Sequence, residues 1–182
     1  MPEQLDSFAT ATDMSDRTQG QVTAASHPFL ERELEAATQD IRDFCGWHIA
    51  PARQVEYRRT GRLPDDVWLP AMEVQSIDSV TIDGTAWTDV AVQRVEFDRD
   101  TGWTNLTGRS VIVKYTAGFK KTPPNLLTAT LEMAAAALGT SMGWTREQAA
   151  GVSVDYGRAG GGIDPDSPGG RRLAAYRIGR LP

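Results

Sequence analysis

The chain has one cysteine, Cys45, and two histidines, His27 and His48. A single cysteine excludes an internal disulfide and fits assembly in a reducing compartment. A structural zinc site takes about four Cys or His ligands at clustered spacing. Cys45 with His27 and His48 does not supply them, so no metal is expected. A Cys45–His48 nucleophilic pair lacks any flanking motif; Cys45 reads as a small buried apolar residue of a helix. No run of about 18 consecutive apolar residues exists, so no membrane-spanning helix and no membrane partner are expected. The first residues are acidic and carry no basic leader segment, so no secretory signal is expected.

Catalytic and cofactor signatures are equally scarce. Gly-x-Ser-x-Gly and His-Glu-x-x-His do not occur. The glycines at 157 and 160–162 are not followed by the Lys-Ser/Thr that a phosphate-cradling loop needs, and they read as a flexible tether. Asp98-Arg99-Asp100-Thr101-Gly102 opens like a calcium loop. An EF-hand places Gly sixth and Glu twelfth, whereas here Gly102 is fifth and Arg109 twelfth, so a hairpin turn accounts for the same residues. Glu96, Asp98 and Asp100 read as solvated carboxylates beside that turn. The tryptophans are spread through the chain as core and interface anchors rather than as a stacking platform. No internal repeat is evident. The expectation is a non-enzyme with no cofactor.

Charge is unevenly distributed along the 182 residues. The net is −5 overall; residues 1–50 carry −6, 51–100 carry −4, 101–150 carry +3 and 151–182 carry +2. No segment reaches the basic density of a phosphate-gripping nucleic-acid binder.

The stretch that organises the chain is 111–138. Val111, Val113 and Tyr115 alternate with Ile112 and Lys114, the pattern of a strand with one buried face. Gly118 breaks it, and Pro123-Pro124 suit a helical first turn. A helix is then predicted over 124–142, with Glu132 as its one charge and a surface of small residues. Such a helix is buried on most of its faces. A chain this short has little with which to cover it, so a neighbouring copy is expected to help, on the face carrying Ala129, Met133, Ala136 and Ala137.

Around this stretch the elements follow in order. Residues 1–25 read as a mobile N-terminal arm with a short helix capped by Thr12. A helix is predicted over 28–45, capped by Ser26, with an apolar stripe at Leu30, Leu34, Ala37, Ile41 and Phe44 and a stop at Gly46. From 53 to 116 the pattern is β: strands at 54–59, 67–69, 77–82 and 110–115. Asp83-Gly84 marks a type I′ hairpin whose return strand is 87–92, and 95–98 pairs with 103–106. A sheet of five to seven short strands is expected. A brief strand is placed at Val152 and Val154. Ser167-Pro168 reads as cap and first position of a last helix of about ten residues, basic and too short to hold alone. The fold class is α+β: a helical body over 26–150 with an inserted small antiparallel sheet, and a C-terminal docking arm over 151–182 that ends in a short helix.

Taken in order, several stretches resemble the head–tail adaptor, or connector, proteins of long-tailed double-stranded DNA bacteriophages, actinobacteriophages in particular. They are Asp43-Phe44-Cys45-Gly46-Trp47-His48-Ile49; Leu69-Pro70, then Val74-Gln75-Ser76-Ile77-Asp78-Ser79-Val80 and Ile82-Asp83-Gly84; Val113-Lys114-Tyr115-Thr116-Ala117-Gly118-Phe119 with Pro124 and the Ala-rich helix; and Leu173-Ala174-Ala175-Tyr176-Arg177-Ile178-Gly179-Arg180. The set spans most of 28–182. The resemblance implies a structural virion protein of the neck, assembled in the host cytoplasm as a homo-oligomeric ring of about twelve copies, closed by head-to-tail contacts. It implies contact with the portal protein and with a head-closure (stopper) or other neck protein. Double-stranded DNA would pass through the lumen without sequence-specific binding. It also implies portal docking by the C-terminal segment, hence by Arg171, Arg172, Leu173, Tyr176, Arg177, Ile178 and Arg180. The alternatives are a stopper or tail-terminator neck protein, which the two long helices disfavour, and a small hydrolase or ligand-binding domain using Cys45 or the Glu96–Asp100 carboxylates.

Overall fold

The computed structural model describes residues 6–61, 66–139, 146–149, 152–155 and 163–179. Two compact units are interleaved in sequence: unit 1 takes Met1–Phe44 and Pro123–Ala175, and unit 2 takes Cys45–Thr122 and Tyr176–Pro182.

Unit 1 is built on two 16-residue helices, α2 (Leu30–Cys45) and α4 (Pro124–Gly139). Four members of the stripe read from sequence are buried, Leu30, Leu34, Ala37 and Ile41, all at most 4% exposed, while Phe44 is half-buried. Leu131 and Ala134 of α4 and Ala9 and Met14 pack into the same cluster as Leu30, Leu34 and Ala37. Met14 belongs to α1 (Ala11–Arg17). The cap of α1 is Thr10 rather than Thr12. Thr10 and Asp13 form a reciprocal capping box, Asp13 N–H to Thr10 Oγ1 at 3.1 Å and Thr10 N–H to Asp13 Oδ2 at 2.7 Å, which satisfies two donors that a start at Thr12 would leave open. The segment expected as an arm is thus part of the core. Buried Thr38 accepts the Phe8 N–H on Oγ1 (3.0 Å) and donates to the Leu34 carbonyl (2.9 Å). Arg42 reaches Asp6 (3.0 Å) and lies 5.0 Å over the Phe8 ring.

Ser26 does not cap α2. Its hydroxyl accepts the Thr23 N–H (2.9 Å) while Thr23 Oγ1 accepts the Ser26 N–H (3.1 Å). The hydroxyl is spent closing that turn, and the helix begins at Leu30.

Unit 2 holds a four-stranded antiparallel sheet in the order β1-β4-β2-β3. The strands are β1 (Arg53–Thr60), β2 (Val74–Ile82), β3 (Thr85–Ala86) and β4 (Ser110–Ala117). β4 is central, with Val113 opposite Tyr57 on one side and Val80 on the other. Its alternation is realised: Val111, Val113, Tyr115 and Ala117 are buried and Lys114 is exposed. The expected five to seven strands reduce to four because the 67–69 strand and the 95–98 with 103–106 pairing shrink to single bridges, Trp68 with Trp103 and Phe97 with Thr104. Asp83 (φ 49°) and Gly84 (φ 82°) make the predicted turn. The return strand is only Thr85–Ala86, not 87–92. After Trp87 donates to the Val80 carbonyl, Val92 N–H turns back to Thr88, and Asp89–Val92 forms the short helix α3. Thr88 takes the N-cap position without a side-chain cap bond, and Asp89 sits in the first turn, where the helix dipole favours an acid.

The open face of the sheet carries an acid bridging three strands. Asp78 accepts from Gln54 of β1 (2.9 Å), Ser76 of β2 (2.7 Å) and Thr116 of β4 (3.0 Å). Partial burial works to raise its pKa, but these three hydrogen bonds outweigh it and hold the carboxyl below the usual aspartate range.

A two-stranded ribbon, β5 (Arg146–Ala149) with β6 (Val152–Asp155), follows α4 in the chain; sequence reading anticipated only its second strand. The last helix, α5 (Pro168–Leu173), starts as predicted, with Ser167 Oγ accepting the Gly170 N–H (2.9 Å). It runs six residues and tightens to a 3₁₀ turn over Ala174–Tyr176. Gly169 and Gly170 are weak helix formers, yet Gly170 is required, since a Cβ there would run into the Asp164 carbonyl and lie 2.8 Å from Pro165 Cα. The continuation of α4 to 142, the glycines at 157 and 160–162, and Arg180 lie outside the described residues.

Because the folded pKa of Asp78 is depressed, its stabilisation is present above the unfolded value of about 4 and is lost as pH falls through the folded value. Asp78→Ala is expected to destabilise the protein at pH 7, and the gap to wild type to close as pH is lowered below about 4 in denaturant titrations. A gap constant with pH would mean the side chain acts by packing alone.

Candidate functional site

The sequence-predicted surfaces are the C-terminal segment and one face of α4. In unit 1 they meet. Arg172 of α5 donates to Glu132 Oε2 of α4 (3.1 Å), and Arg17 of α1 donates to Oε1 of the same carboxylate (3.2 Å). Each of these pairs is largely exposed and worth little alone. Together they set the register of three helices around the single charge of α4. Leu173 is 2% exposed and fills a position in the protein's own interior. Arg171 is exposed, its guanidinium donating to the Asp166 carbonyl at 2.7 Å.

On α4 the buried stripe is Leu126, Thr130, Leu131 and Ala134. Ala129 and Met133 are half-buried, and Ala136 and Ala137 are exposed. These four follow at helical spacing and share a face. That face carries no charge, and Met133 on it packs against the cluster of Leu30, Leu34 and Leu131.

In unit 2 the other half of the segment is clasped. The Trp47 indole N–H donates to the Tyr176 carbonyl at 2.6 Å, across 129 residues of sequence. The Phe119 ring stands edge-on to Tyr176 at 5.9 Å and tilts against Trp47 at 6.3 Å. Ile178 N–H donates to the Cys45 carbonyl at 3.0 Å. Arg177 is exposed. Phe119 itself is fixed by its N–H to the Ile49 carbonyl (2.8 Å). Next to it Gly118, at φ +114°, is obligatory, since a Cβ would lie 2.8 Å from the Ile49 carbonyl oxygen. The residues expected to dock therefore differ in setting: Arg171 and Arg177 are exposed, Leu173 is buried, and Tyr176 and Ile178 are half-buried and bonded to the chain itself. Sequence reading missed Trp47 and Phe119 as partners of the segment. Nothing local marks a contact across such separations. Glu132 carried a signal, as the lone charge of an apolar helix.

The candidate chemistry recedes. Burial pushes the Cys45 thiol up to about 11, with Arg177 opposing the shift. A thiolate is the reactive form, so this cysteine is inert near neutral pH. Asp98 is used structurally: its Oδ1 accepts the N–H groups of Asp100 (2.8 Å) and Thr101 (2.9 Å), and these bonds hold its carboxyl below the usual range. Gly102 N–H closes the turn on the Asp98 carbonyl (3.0 Å). Among the described residues no group of three or more His, Cys, Asp or Glu is placed to hold a metal ion, and no helix is long and apolar enough to cross a membrane.

Two solved chains share this fold over nearly their whole length. One comes from the neck of a native GTA particle computed with C12 symmetry. It aligns over 92% of this chain and 89% of its own, with a TM-score of 0.57 and 16% identity. The other comes from the neck of an empty GTA particle computed with C6 symmetry, and aligns over 94% and 90%, with a TM-score of 0.58 and 15% identity. At such identities the likeness is one of fold. No family model and no curated protein matches the chain.

Trp47→Phe keeps the ring packing and removes the bond to Tyr176; it is expected to cost about 1 kcal/mol in chemical denaturation. Leu173→Ala is expected to cost about 2–5 kcal/mol. Deletion of 163–182 should lower the unfolding midpoint by at least as much as the two together, in contrast to a detachable arm, whose removal would leave the midpoint unchanged. Cys45 should resist alkylation at pH 7.5 in the native state and react fully once guanidinium unfolds the chain; rapid native labelling would restore it as a candidate nucleophile.

Proposed function

We propose that this chain is a structural neck protein of a tailed, phage-like particle: a head–tail adaptor that forms a ring beneath the portal, extends the DNA channel and joins capsid to tail. The observation that carries the reading is the fold shared along more than nine-tenths of the chain with subunits of particle necks. The ordered set of adaptor-like stretches is independent support, since it came from residues and not from shape. The reading is non-catalytic, in keeping with an inert Cys45 and an Asp98 committed to a turn.

In this reading the ring has twelve copies, by analogy with the C12 symmetry of the first neck. The face of Ala129, Met133, Ala136 and Ala137 is shared between neighbours. The exposed Arg171 and Arg177 touch the portal, and Leu173, Tyr176 and Ile178 hold the segment that presents them. The opposite rim meets a stopper or another neck protein, and DNA slides through without specific contacts.

Mixing the purified protein with portal rings and imaging the product by electron microscopy tests the assignment. A ring bound coaxially to the portal is expected; binding to tail tubes instead would favour the stopper or tail-terminator reading, and no association with either would reject a neck role. Ala136→Trp is expected to leave the subunit folded and to lower ring yield by about tenfold or more, because a bulky ring on a small-residue face prevents close approach. An intact ring from this variant would remove that face from the interface.

A further inference from the structure

A closed ring of identical chains joined head to tail needs two different surfaces on each copy. Among the described residues the large apolar side chains left exposed are three: Phe29 at 61%, Trp87 at 38% and Val90 at 62%. They fall in two places. Phe29 is in unit 1, just before α2; Trp87 and Val90 are in unit 2, where β3 passes into α3. Exposed aromatic and branched residues in company mark contact sites more often than single exposed aliphatics do.

The charges beside them differ: acids outnumber the one base around Phe29, whereas two arginines stand among the acids around Trp87 and Val90. Glu33 follows Phe29 by one turn, its N–H donating to the Phe29 carbonyl at 3.0 Å. Glu31 and Glu35 flank it, with Arg32 as the one base between them. Arg94 follows Val90 by four residues, with its N–H on the Ala91 carbonyl (3.1 Å), and Arg109 stands at the adjacent turn, its N–H on Asp83 Oδ1 (3.2 Å). The acids on that side are Asp89, Glu96 and Asp83, the last accepting the Arg109 and Ser110 N–H groups on Oδ1. None of Glu31, Glu33, Glu35, Arg94 and Arg109 takes part in an ion pair among the described residues. The contrast in sign belongs to the units as wholes. Unit 1 has seven Arg against fourteen Asp and Glu, a net of −7; unit 2 has twelve Lys and Arg against ten acids, a net of +2.

We propose that the Phe29 corner of one copy seats on the Trp87–Val90 corner of the next, with Glu33 meeting Arg94, and that this contact closes the ring. The inference rests on the ring reading above and names an interface that the α4 face does not include. Glu33 against Arg94 beside an apolar centre gives such a contact its direction, since two Phe29 corners repel.

The test is assembly as a function of protein concentration, read by mass photometry with and without portal rings, for wild type, Glu33→Arg, Arg94→Glu and the double reversal. Each single reversal is expected to raise the concentration for half-assembly by about tenfold or more, and the double reversal to recover most of the loss. Thermal unfolding of each variant separates a lost contact from a lost fold. A second variant, Phe29→Cys with Val90→Cys, places two exposed thiols on the proposed contact while Cys45 stays buried; mild oxidation should give an intermolecular ladder ending at the ring. Single reversals that assemble like wild type, a double reversal no better than the singles, or no ladder would overturn this contact and leave the ring reading standing. Wild type that stays monomeric even on portal rings would overturn the ring reading, and this contact with it.

Discussion

The structure depends on covering one apolar stripe. α2 presents Leu30, Leu34, Ala37 and Ile41 along one side, and an amphipathic helix of this length has no stable existence until that side is buried. The cover comes from chain segments far apart: Ala9 and Met14 before the helix, and Leu131 and Ala134 after it. Between them lies all of Cys45–Thr122, a separate unit. The chain must leave α2 abruptly and return abruptly. Gly46 at φ +81° ends the helix, and Pro123-Pro124 begins the next. The 111–138 stretch, read as one strand–turn–helix run, thus contributes its strand to one unit and its helix to the other.

The last segment crosses the division between the units in sequence. Leu173, in unit 1, is buried, and Tyr176 and Ile178 are clasped by Trp47, Phe119 and Cys45 within unit 2. A nine-residue helical stretch with two glycines does not hold its shape in water by itself. Here it is stabilised by what it packs against. In the proposed adaptor, a segment held in this way would present Arg171 and Arg177 on a fixed backbone, which lowers the ordering cost of binding compared with a free arm.

The interleaving also redistributes charge. Along the sequence the acidic residues crowd the first hundred positions and the basic ones follow. In the fold the acidity gathers in unit 1, because 1–44 is joined by 123–175 while the moderately acidic 51–100 is balanced by Lys114, Lys120, Lys121 and other bases in unit 2. In the proposed ring, such an uneven distribution would suit directional association over two-fold pairing.

Much of the architecture was legible residue by residue. The period of α2, the alternation of Val111, Val113 and Tyr115, the Asp83-Gly84 turn and the Ser167-Pro168 helix start are local signals, because backbone geometry and the nearest few side chains decide them. Errors arose where two local signals competed. α3 took the place of an expected return strand, Thr10 displaced Thr12 as a cap, and Ser26 went to a turn. The Trp47–Tyr176–Phe119 clasp, the joint use of Glu132 by Arg17 and Arg172, and the sorting of charge into two units had no local sign. Sequence by itself determined the elements and their buried faces, through periodicity, capping and turn chemistry. Tertiary structure alone decided which distant segments cover which face, because those contacts join residues up to 129 positions apart and are chosen by packing, which no window of neighbouring residues encodes.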